Sequence, residues 1–268
     1  MTDRYAVIGN PISHSKSPLI HRMFAEQTGQ DISYEAIEAP LDGFERKIRE
    51  LISLGYKGFN VTVPFKQKAF QLIPDGMSTC ISEDAQNAMA ANTLKLLGNQ
   101  INIDNTDGIG LARDLENNLA IKLKGKQLLL IGAGGASRGV LSPLRRAGAK
   151  ITITNRTADK AHFLAKRFHM ASCSYDELWG KQFDIVVNAT SAGLTDSRIP
   201  LPDNIFATNA LAYDMMYGRE TPFMAFARAR GARVADGLGM LVEQAAEAFF
   251  IWRGVRPDTR AVLAALRP

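Results

Sequence analysis

The stretch QLLLIGAGGAS, residues 127–137, decides the fold of this chain. Four consecutive apolar residues after Gln127 are typical of a strand that is buried on both faces of a parallel sheet. A glycine-rich turn follows, then a helical pattern from about 138 to 147 and a second strand pattern, KITIT, at 150–154. Strand, glycine turn, helix and strand in this order form the unit that binds dinucleotides. We therefore predict a nucleotide-binding unit that begins near Leu123.

Strand and helix patterns alternate on both sides of this unit. The order predicts an α/β fold with largely parallel sheets. Pro64 is expected in the first turn of its helix, where its missing N–H is tolerated. Further strands are predicted at 5–9, 33–39, 58–63, 183–189 and 210–214, and further helices after Pro18 and at 44–54, 64–72, 241–252 and 259–266.

Composition excludes several classes of protein. The 268 residues are 46% hydrophobic and 22% charged, and no apolar run reaches the roughly 18 residues that a membrane helix needs. Cys80 and Cys173 are far apart, and the four histidines show no metal-ligand spacing. The net charge of +5 is mild and scattered, which argues against nucleic acid as a partner. A soluble cytoplasmic protein without a metal is the expectation, and some of the positive charge could serve a phosphorylated ligand.

The glycine turn predicts how a cofactor would be held. Gly132 permits a tight turn, Gly134 lets the backbone approach a pyrophosphate, and Ser137 is small enough for the third glycine place of the usual fingerprint. The helix that follows would offer free N–H groups to phosphate. The predicted loop comprises Gly132, Ala133, Gly134, Gly135 and Ala136.

The end of the second strand favours NADP over NAD. Enzymes that use NAD place a carboxylate there for the ribose 2′-hydroxyl, whereas this chain has Asn155, Arg156 and Thr157, with Lys160 close behind. Arg156 could bind a 2′-phosphate in bidentate fashion, and the other three side chains add donors. The alternative is that Arg156 and Lys160 are solvated surface charges.

Three further segments concentrate hydroxyl and amide groups just after predicted strands, at 13–18, 60–66 and 102–110. Strand ends are where α/β proteins bind small polar ligands. The same residue types also form turns and helix caps. On these residues alone, binding of a polyol and a purely structural role stay equally open.

At these segments the sequence resembles the shikimate dehydrogenase family, and the matches run in order along essentially the whole chain. The resemblance implies an N-terminal substrate domain (1–107 together with 237–268) and a Rossmann-like NADP domain (108–236). It also implies reversible reduction of 3-dehydroshikimate to shikimate, a step of chorismate and aromatic amino acid biosynthesis. The matching segments are GNP at 9–11, SKSP at 15–18, NVTVPFK at 60–66, ANT at 91–93, DNTDG at 104–108, GAGGA at 132–136, NRT at 155–157, NATS at 188–191, YDM at 213–215 and DGLGM at 236–240.

The resemblance also implies roles for individual residues. Lys66 and Asp107 match the catalytic pair of the family, and Ser15 and Ser17 match its carboxylate-binding serines. Taken alone, Lys66 could be a solvated lysine, Asp107 or Ser17 a helix cap, and Gln244 a surface residue. The remaining matches are Asn60, Thr62, Asn92, Asp107 and Gln244 at the ring hydroxyls, Tyr217 near the substrate, and Thr190, Met215 and Gly237 at the nicotinamide.

Two departures from the family pattern are local. Met89 stands where the family often has glycine, and the loop at 218–222 is one residue shorter than usual. An enzyme that also accepts quinate, and a non-catalytic NADP sensor of the same fold, are the alternative functions. The sequence leaves open whether the protein is a monomer or a homodimer.

Overall fold

The structure is a computed structural model that describes residues 2–74, 76–192 and 197–267. It divides into two compact units, here called unit 1 (Met1–Gly110 with Val242–Pro268) and unit 2 (Leu111–Leu241). Each unit contains one six-stranded sheet, so the predicted α/β class is confirmed. In the part of the chain that is described, no helix is both long enough and apolar enough to cross a bilayer.

The sheet of unit 1 is mixed. Its strands follow the order β2-β1-β3-β5-β6-β4. Strand β1 is parallel to β2 and β3, whereas β5 is antiparallel to both β3 and β6. The carboxyl ends of β3 and β6 therefore lead into the segments that carry the candidate residues. The strands are β1 Asp3–Gly9, β2 Ile32–Glu38, β3 Gly58–Val61, β4 Ser78–Ile81, β5 Thr93–Leu97 and β6 Gln100–Asp104.

Helices cover this sheet, and the unit boundary falls inside two of them, α5 and α9. The indole N–H of Trp252, near the end of α9, donates to the carbonyl oxygen of Leu94 at 3.0 Å, and its ring stacks on Tyr5. These contacts attach the C-terminal part of α9 to the sheet of unit 1. The helices are α1 Ser17–Thr28, α2 Phe44–Ser53, α3 Lys66–Phe70, α4 Glu83–Ala88, α5 Asp107–Arg113, α9 Leu238–Arg253 and α10 Thr259–Leu266.

The sheet of unit 2 is parallel throughout, in the order β12-β11-β10-β7-β8-β9. Successive strands are added on one side of β7 up to β9 and on its other side from β10 onward, so the strand order reverses between β7 and β10. The carboxyl ends of the strands at such a reversal are where open α/β sheets bind ligands. The elements are β7 Gln127–Ile131, α6 Gly135–Arg146, β8 Lys150–Thr154, α7 Ala158–Phe168, β9 Ala171–Cys173, β10 Phe183–Asn188, β11 Phe206–Asp214, α8 Pro222–Arg228 and β12 Arg233–Ala235.

One local expectation changes, and one departure from the family pattern has a structural reason. Pro64 lies outside helix α3, which begins at Lys66, because residues 62–65 form a turn closed by the N–H of Phe65 and the carbonyl oxygen of Thr62 at 2.9 Å. Met89 follows α4 with a φ of 50°, a left-handed conformation that glycine adopts most easily. This conformation accounts for the glycine that the family often has at the same place.

Candidate active site

Lys66 and Asp107 form an ion pair in unit 1. Each is the first residue of a helix that follows a strand, α3 after β3 and α5 after β6. The Lys66 Nζ atom lies 2.5 Å from Asp107 Oδ2, and the two side chains are 30% and 13% exposed. The pair is therefore sheltered but open to a small ligand. Lys66 is not simply a solvated helix lysine.

Asn92 fixes the other oxygen of the same carboxylate. Its amide donates to Asp107 Oδ1 at 2.8 Å and lies 3.2 Å from Gln244 Oε1. Its own Oδ1 accepts the backbone N–H of Thr106 at 2.8 Å, which sets the orientation of the amide group. Thr93 contributes a hydroxyl that donates to the same Oδ1 at 2.9 Å. Asn92 thus brings Asp107 and Gln244 into one hydrogen-bonded cluster.

Asn60 extends this cluster toward helix α1. Its Nδ2 donates to the carbonyl oxygen of Asn92 at 3.0 Å and to Thr93 Oγ1 at 3.2 Å. Its Oδ1 accepts the hydroxyl of Tyr34 at 2.8 Å. Burial raises the pKa of Tyr34 well above its ordinary value. Sequence reasoning missed Tyr34, whose place in an alternating strand pattern gave no sign of a polar role.

Ser15 and Ser17 lie at the start of α1. The helix begins at Ser17 itself, and Lys16 in the capping position makes no side-chain cap bond. The N–H of Ser17 points to Ser15 Oγ at 3.3 Å. The alternative that Ser17 caps this helix is therefore wrong, because a cap residue precedes the first helical residue.

Thr62 packs against the glycine at the end of β1. A Cβ atom at Gly9 would lie 2.6 Å from Thr62 Cγ2, so the Thr62 side chain comes close to the start of the 9–11 turn. Thr62 is half-buried, and its N–H donates to the carbonyl oxygen of Ile8. Thr62 and Asn60 both lie at the carboxyl end of strand β3.

An open groove of about 800 Å³ runs between α1 and β2. Ser15 and Tyr34 line it, but Lys66, Asn92 and Asp107 do not. The Lys66–Asp107 pair and Asn92 therefore lie outside this groove.

In unit 2 the glycine turn has room for a pyrophosphate. Gly132 has a φ of 115°, and a Cβ atom there would lie 3.1–3.2 Å from atoms of Ser137, Ala189 and Thr190. Gly134 precedes α6, which has no side-chain cap bond and no acidic residue in its first turn, and the space around its Cβ position is open. A helix N-terminus of this kind binds phosphate through its free N–H groups. The loop therefore fits a dinucleotide.

The four residues predicted for the 2′-phosphate follow β8. Asn155 and Arg156 line a pocket of about 420 Å³ together with Tyr175, Trp179 and Asp176. Arg156 acts electrostatically on the Tyr175 hydroxyl, whose pKa burial raises. Thr157 precedes α7, and Lys160 is exposed on it. The aromatic side chains of Tyr175 and Trp179 and the carboxylate of Asp176 were not anticipated in this pocket.

Of the residues predicted at the nicotinamide, Thr190 and Met215 follow the ends of β10 and β11, and Gly237 follows β12. Asn188 Oδ1 accepts the hydroxyl of Thr190 at 2.7 Å, and its amide donates to Asp214 at 3.0 Å. Gly237 is buried against the strand end, since a Cβ atom there would lie 2.2 Å from the carbonyl oxygen of Met215.

Tyr217 follows Met215 by two residues. It is half-buried, and burial raises its pKa. Among the residues that the structure describes, no cluster of histidine, cysteine and carboxylate side chains could hold a metal ion.

Three family models match successive parts of the chain. The shikimate dehydrogenase substrate binding domain matches residues 7–94, the shikimate / quinate 5-dehydrogenase model matches 114–195, and the shikimate 5′-dehydrogenase C-terminal domain matches 237–267. Together these matches extend over most of units 1 and 2.

Individual relatives are similar over their full length. The shikimate dehydrogenase (NADP(+)) of Methylobacillus flagellatus is 56% identical over 272 residues, which cover 99% of each chain. An Ael1 enzyme from Pseudomonas putida has a solved structure with a TM-score of 0.94 and 50% identity, covering 100% of this chain and 99% of that one. The shikimate 5-dehydrogenase of Thermus thermophilus, solved in complex with NADP(H) and shikimate, has a TM-score of 0.87 and 34% identity over 98% of each chain.

Proposed function

The chain belongs to the shikimate dehydrogenase family, and we propose from this membership that Lys66 and Asp107 carry its proton-transfer chemistry. It is an NADP-dependent oxidoreductase that acts on a CH–OH group, reducing 3-dehydroshikimate to shikimate reversibly in the shikimate pathway. This membership leaves no support for a non-catalytic NADP sensor.

The observation that carries the proposed mechanism is the shared carboxylate of Asp107. Its Oδ2 holds Lys66 and its Oδ1 holds Asn92, so both oxygens have fixed partners. Reduction adds one hydride to the carbonyl carbon and one proton to the oxygen. Lys66 as the ammonium would give that proton and stabilise the developing alkoxide, and in the reverse direction the amine would take it back. The exposed part of the Lys66 side chain lets solvent replace the proton.

The cluster around Asn92 supports recognition of a polyol. Asn92, Gln244 and Asn60 present amide groups whose orientations are set by protein hydrogen bonds, and Thr62 adds a hydroxyl. We assign these four residues and Asp107 to the ring hydroxyls. Ser15 and Ser17 are assigned to the carboxylate, and Tyr217 is assigned to the substrate as well.

NADP, when bound, supplies the hydride or accepts it. The open N-terminus of α6 supports binding of its pyrophosphate by residues 132–136. Arg156, with Asn155, Thr157 and Lys160, is proposed to bind the 2′-phosphate. Thr190, Met215 and Gly237 are proposed to line the nicotinamide.

A spectrophotometric assay tests the proposal. The purified protein is given shikimate or quinate, each with NADP and with NAD, and formation of the reduced cofactor is followed by absorbance. Fast turnover with shikimate and NADP is expected. Turnover of quinate at a comparable rate would favour an enzyme that accepts both substrates. The match to the shikimate / quinate 5-dehydrogenase model is consistent with that alternative. A protein inactive with both substrates would refute the proposed chemistry.

We propose a cytoplasmic location, which the free thiols of Cys80 and Cys173 support, since reducing compartments keep thiols unpaired. A monomer or a homodimer is the proposed assembly. Light scattering on the purified protein would distinguish the two.

A further inference from the structure

Asn105 lies between strand β6 and helix α5 and is not among the residues assigned to the substrate. The residue is almost completely buried, with 2% of its surface exposed. Its Oδ1 accepts the backbone N–H of Asp107 at 3.1 Å, and its Nδ2 donates to the carbonyl oxygen of Ala90 at 2.9 Å. One side-chain amide therefore ties the first residue of α5 to the segment that precedes strand β5.

The same segment also contacts Lys66. The N–H of Ala91 donates to the carbonyl oxygen of Lys66 at 2.8 Å. Lys66 and Asp107 are thus connected twice. The direct connection is their ion pair, and the indirect one runs through residues 90–91 and the amide of Asn105. Because the indirect connection ends on backbone groups of both residues, it fixes the separation of the two helix starts.

Asp104 in turn holds Asn105 in place. Its Oδ1 accepts the backbone N–H of Asn105 at 2.7 Å and the hydroxyl of Ser82 at 2.6 Å. Ser82 caps helix α4, which leads to Ala90, by accepting the N–H of Ala85 at 3.1 Å. Asn105 therefore has a fixed place relative to both segments that its amide connects.

We propose that Asn105 is a positioning residue that sets the separation of Lys66 and Asp107 for proton transfer. The inference rests on the proposed function, because it assumes that these two residues carry the proton-transfer chemistry. An amide suits this place because it donates to a carbonyl oxygen through its nitrogen and accepts a backbone N–H through its oxygen. Alanine can do neither, and an ionised carboxylate can only accept.

The first test compares Asn105→Ala with Asn102→Ala. Asn105→Ala is expected to lower kcat with shikimate about two- to tenfold, the range of one neutral hydrogen bond, and to leave the KM for NADP unchanged. Asn102 is the control, because it lies on the same strand and its Oδ1 accepts Gln100 Nε2 at 3.0 Å, away from the pair. Turnover is measured per folded molecule, well below the melting temperature of each variant. An unchanged kcat in Asn105→Ala would overturn the inference.

A double-mutant cycle separates positioning from a general loss of structure. In a Lys66→Ala background, where the ion pair is absent, Asn105→Ala is expected to lower the residual kcat by a smaller factor than it does in the wild type. A merely structural role would lower kcat by the same factor in both backgrounds. Equal factors would therefore refute the inference.

Asn105→Asp keeps the inference testable if Asn105→Ala fails to fold. The introduced carboxyl group has the shape of the amide, and only its protonated form can donate to Ala90 while accepting the N–H of Asp107. Burial beside Asp104 and Asp107 should raise the pKa of this group above the usual range of an aspartate. The kcat of the variant relative to wild type is therefore expected to rise as the pH falls from about 9 to about 6. A ratio that stays constant over this range would count against the inference.

The Lys66→Ala variant distinguishes this inference from the proposed function. If Lys66→Ala loses turnover and Asn105→Ala keeps the wild-type kcat, the inference alone fails. If Lys66→Ala turns over shikimate as fast as the wild type, the proposed proton transfer fails and the inference fails with it.

Discussion

Lys66 Nζ and Asp107 Oδ2 lie 2.5 Å apart, at the starts of two helices that follow strands β3 and β6 of one sheet. Asn92 holds the second carboxylate oxygen, so the pair keeps its geometry without a ligand. Such a pair can position a proton at a substrate oxygen.

Lys66→Ala is expected to lower kcat by about 10²–10⁴, the usual contribution of general acid–base catalysis, while most substrate affinity is kept. Steady-state kinetics with shikimate and NADP check this. Lys68→Ala is the control, because Lys68 lies on the same helix and its Nζ binds the carbonyl oxygen of Leu41 instead. Near wild-type turnover in Lys66→Ala would exclude the proton-transfer role.

Gly134→Ala tests the cofactor loop without disturbing the fold. Gly134 has a φ of −87°, which alanine adopts readily, and nothing lies within 4 Å of its Cβ position. The melting temperature should therefore stay within a degree or so of wild type, since surface changes of this kind are usually within about 0.5 kcal/mol. The KM for NADP should rise clearly, because the added methyl group would occupy the space of the pyrophosphate. An unchanged KM would mean that the phosphate binds elsewhere.

Arg156→Ala should weaken the binding of NADP much more than the binding of NAD, because NADP alone carries the 2′-phosphate. A charge-assisted hydrogen bond contributes roughly 1.5–3 kcal/mol, or about ten- to a hundredfold in affinity. The exposed position of Arg156 favours the lower end of that range. Titration of the wild type and the variant with each cofactor measures the loss of affinity for NADP and for NAD. Equal losses for NADP and NAD would point to stacking on adenine or to damage to the fold.

His21 predicts a dependence of stability on pH. Burial lowers its pKa from 6.5 to about 3, so the unfolded chain binds a proton between these values that the folded chain does not. The free energy of unfolding is therefore highest above about pH 6.5, where His21 is neutral in both states. It decreases as the pH falls toward 3, by about 2 kcal/mol at pH 5. His21→Phe, which keeps an aromatic ring beside Tyr34, should show a smaller decrease in melting temperature between pH 7 and pH 5. Parallel curves for the two proteins would contradict this account.

The strongly periodic parts of the fold were predictable from the sequence. Strands β7 and β8 and helix α10 begin and end at the predicted residues. In β7 a run of apolar residues follows a glycine turn, in β8 Ile and Thr alternate, and in α10 the buried residues recur at helical spacing. Strands β4 to β6 were missed. They are four or five residues long, and β5 is antiparallel to its neighbours, so no βαβ pattern reveals them.

The candidate site was predicted residue by residue through the family resemblance, and the contacts between those residues were not. Asn92 and Gln244 are 152 residues apart, and no local pattern indicates that their amide groups meet. Tyr34 was missed for the same reason, since its partner Asn60 comes from another strand. The roles of these residues stay predictions until the variants are measured.

Substitutions of Ser15 and Ser17 distinguish a role in ligand recognition from a role in helix stability. A lost cap would cost about 0.5–2 kcal/mol of stability and need not alter kinetics. Ser17 is the first residue of α1 and makes no cap bond, whereas Ser15 Oγ receives the N–H of Ser17 at 3.3 Å. Ser17→Ala should therefore raise the KM for shikimate with little loss of melting temperature, and Ser15→Ala should raise the KM and lower the melting temperature slightly. A contact made equally in the ground state and the transition state changes KM more than kcat. If both variants melt lower and keep the wild-type shikimate kinetics, the carboxylate is bound elsewhere.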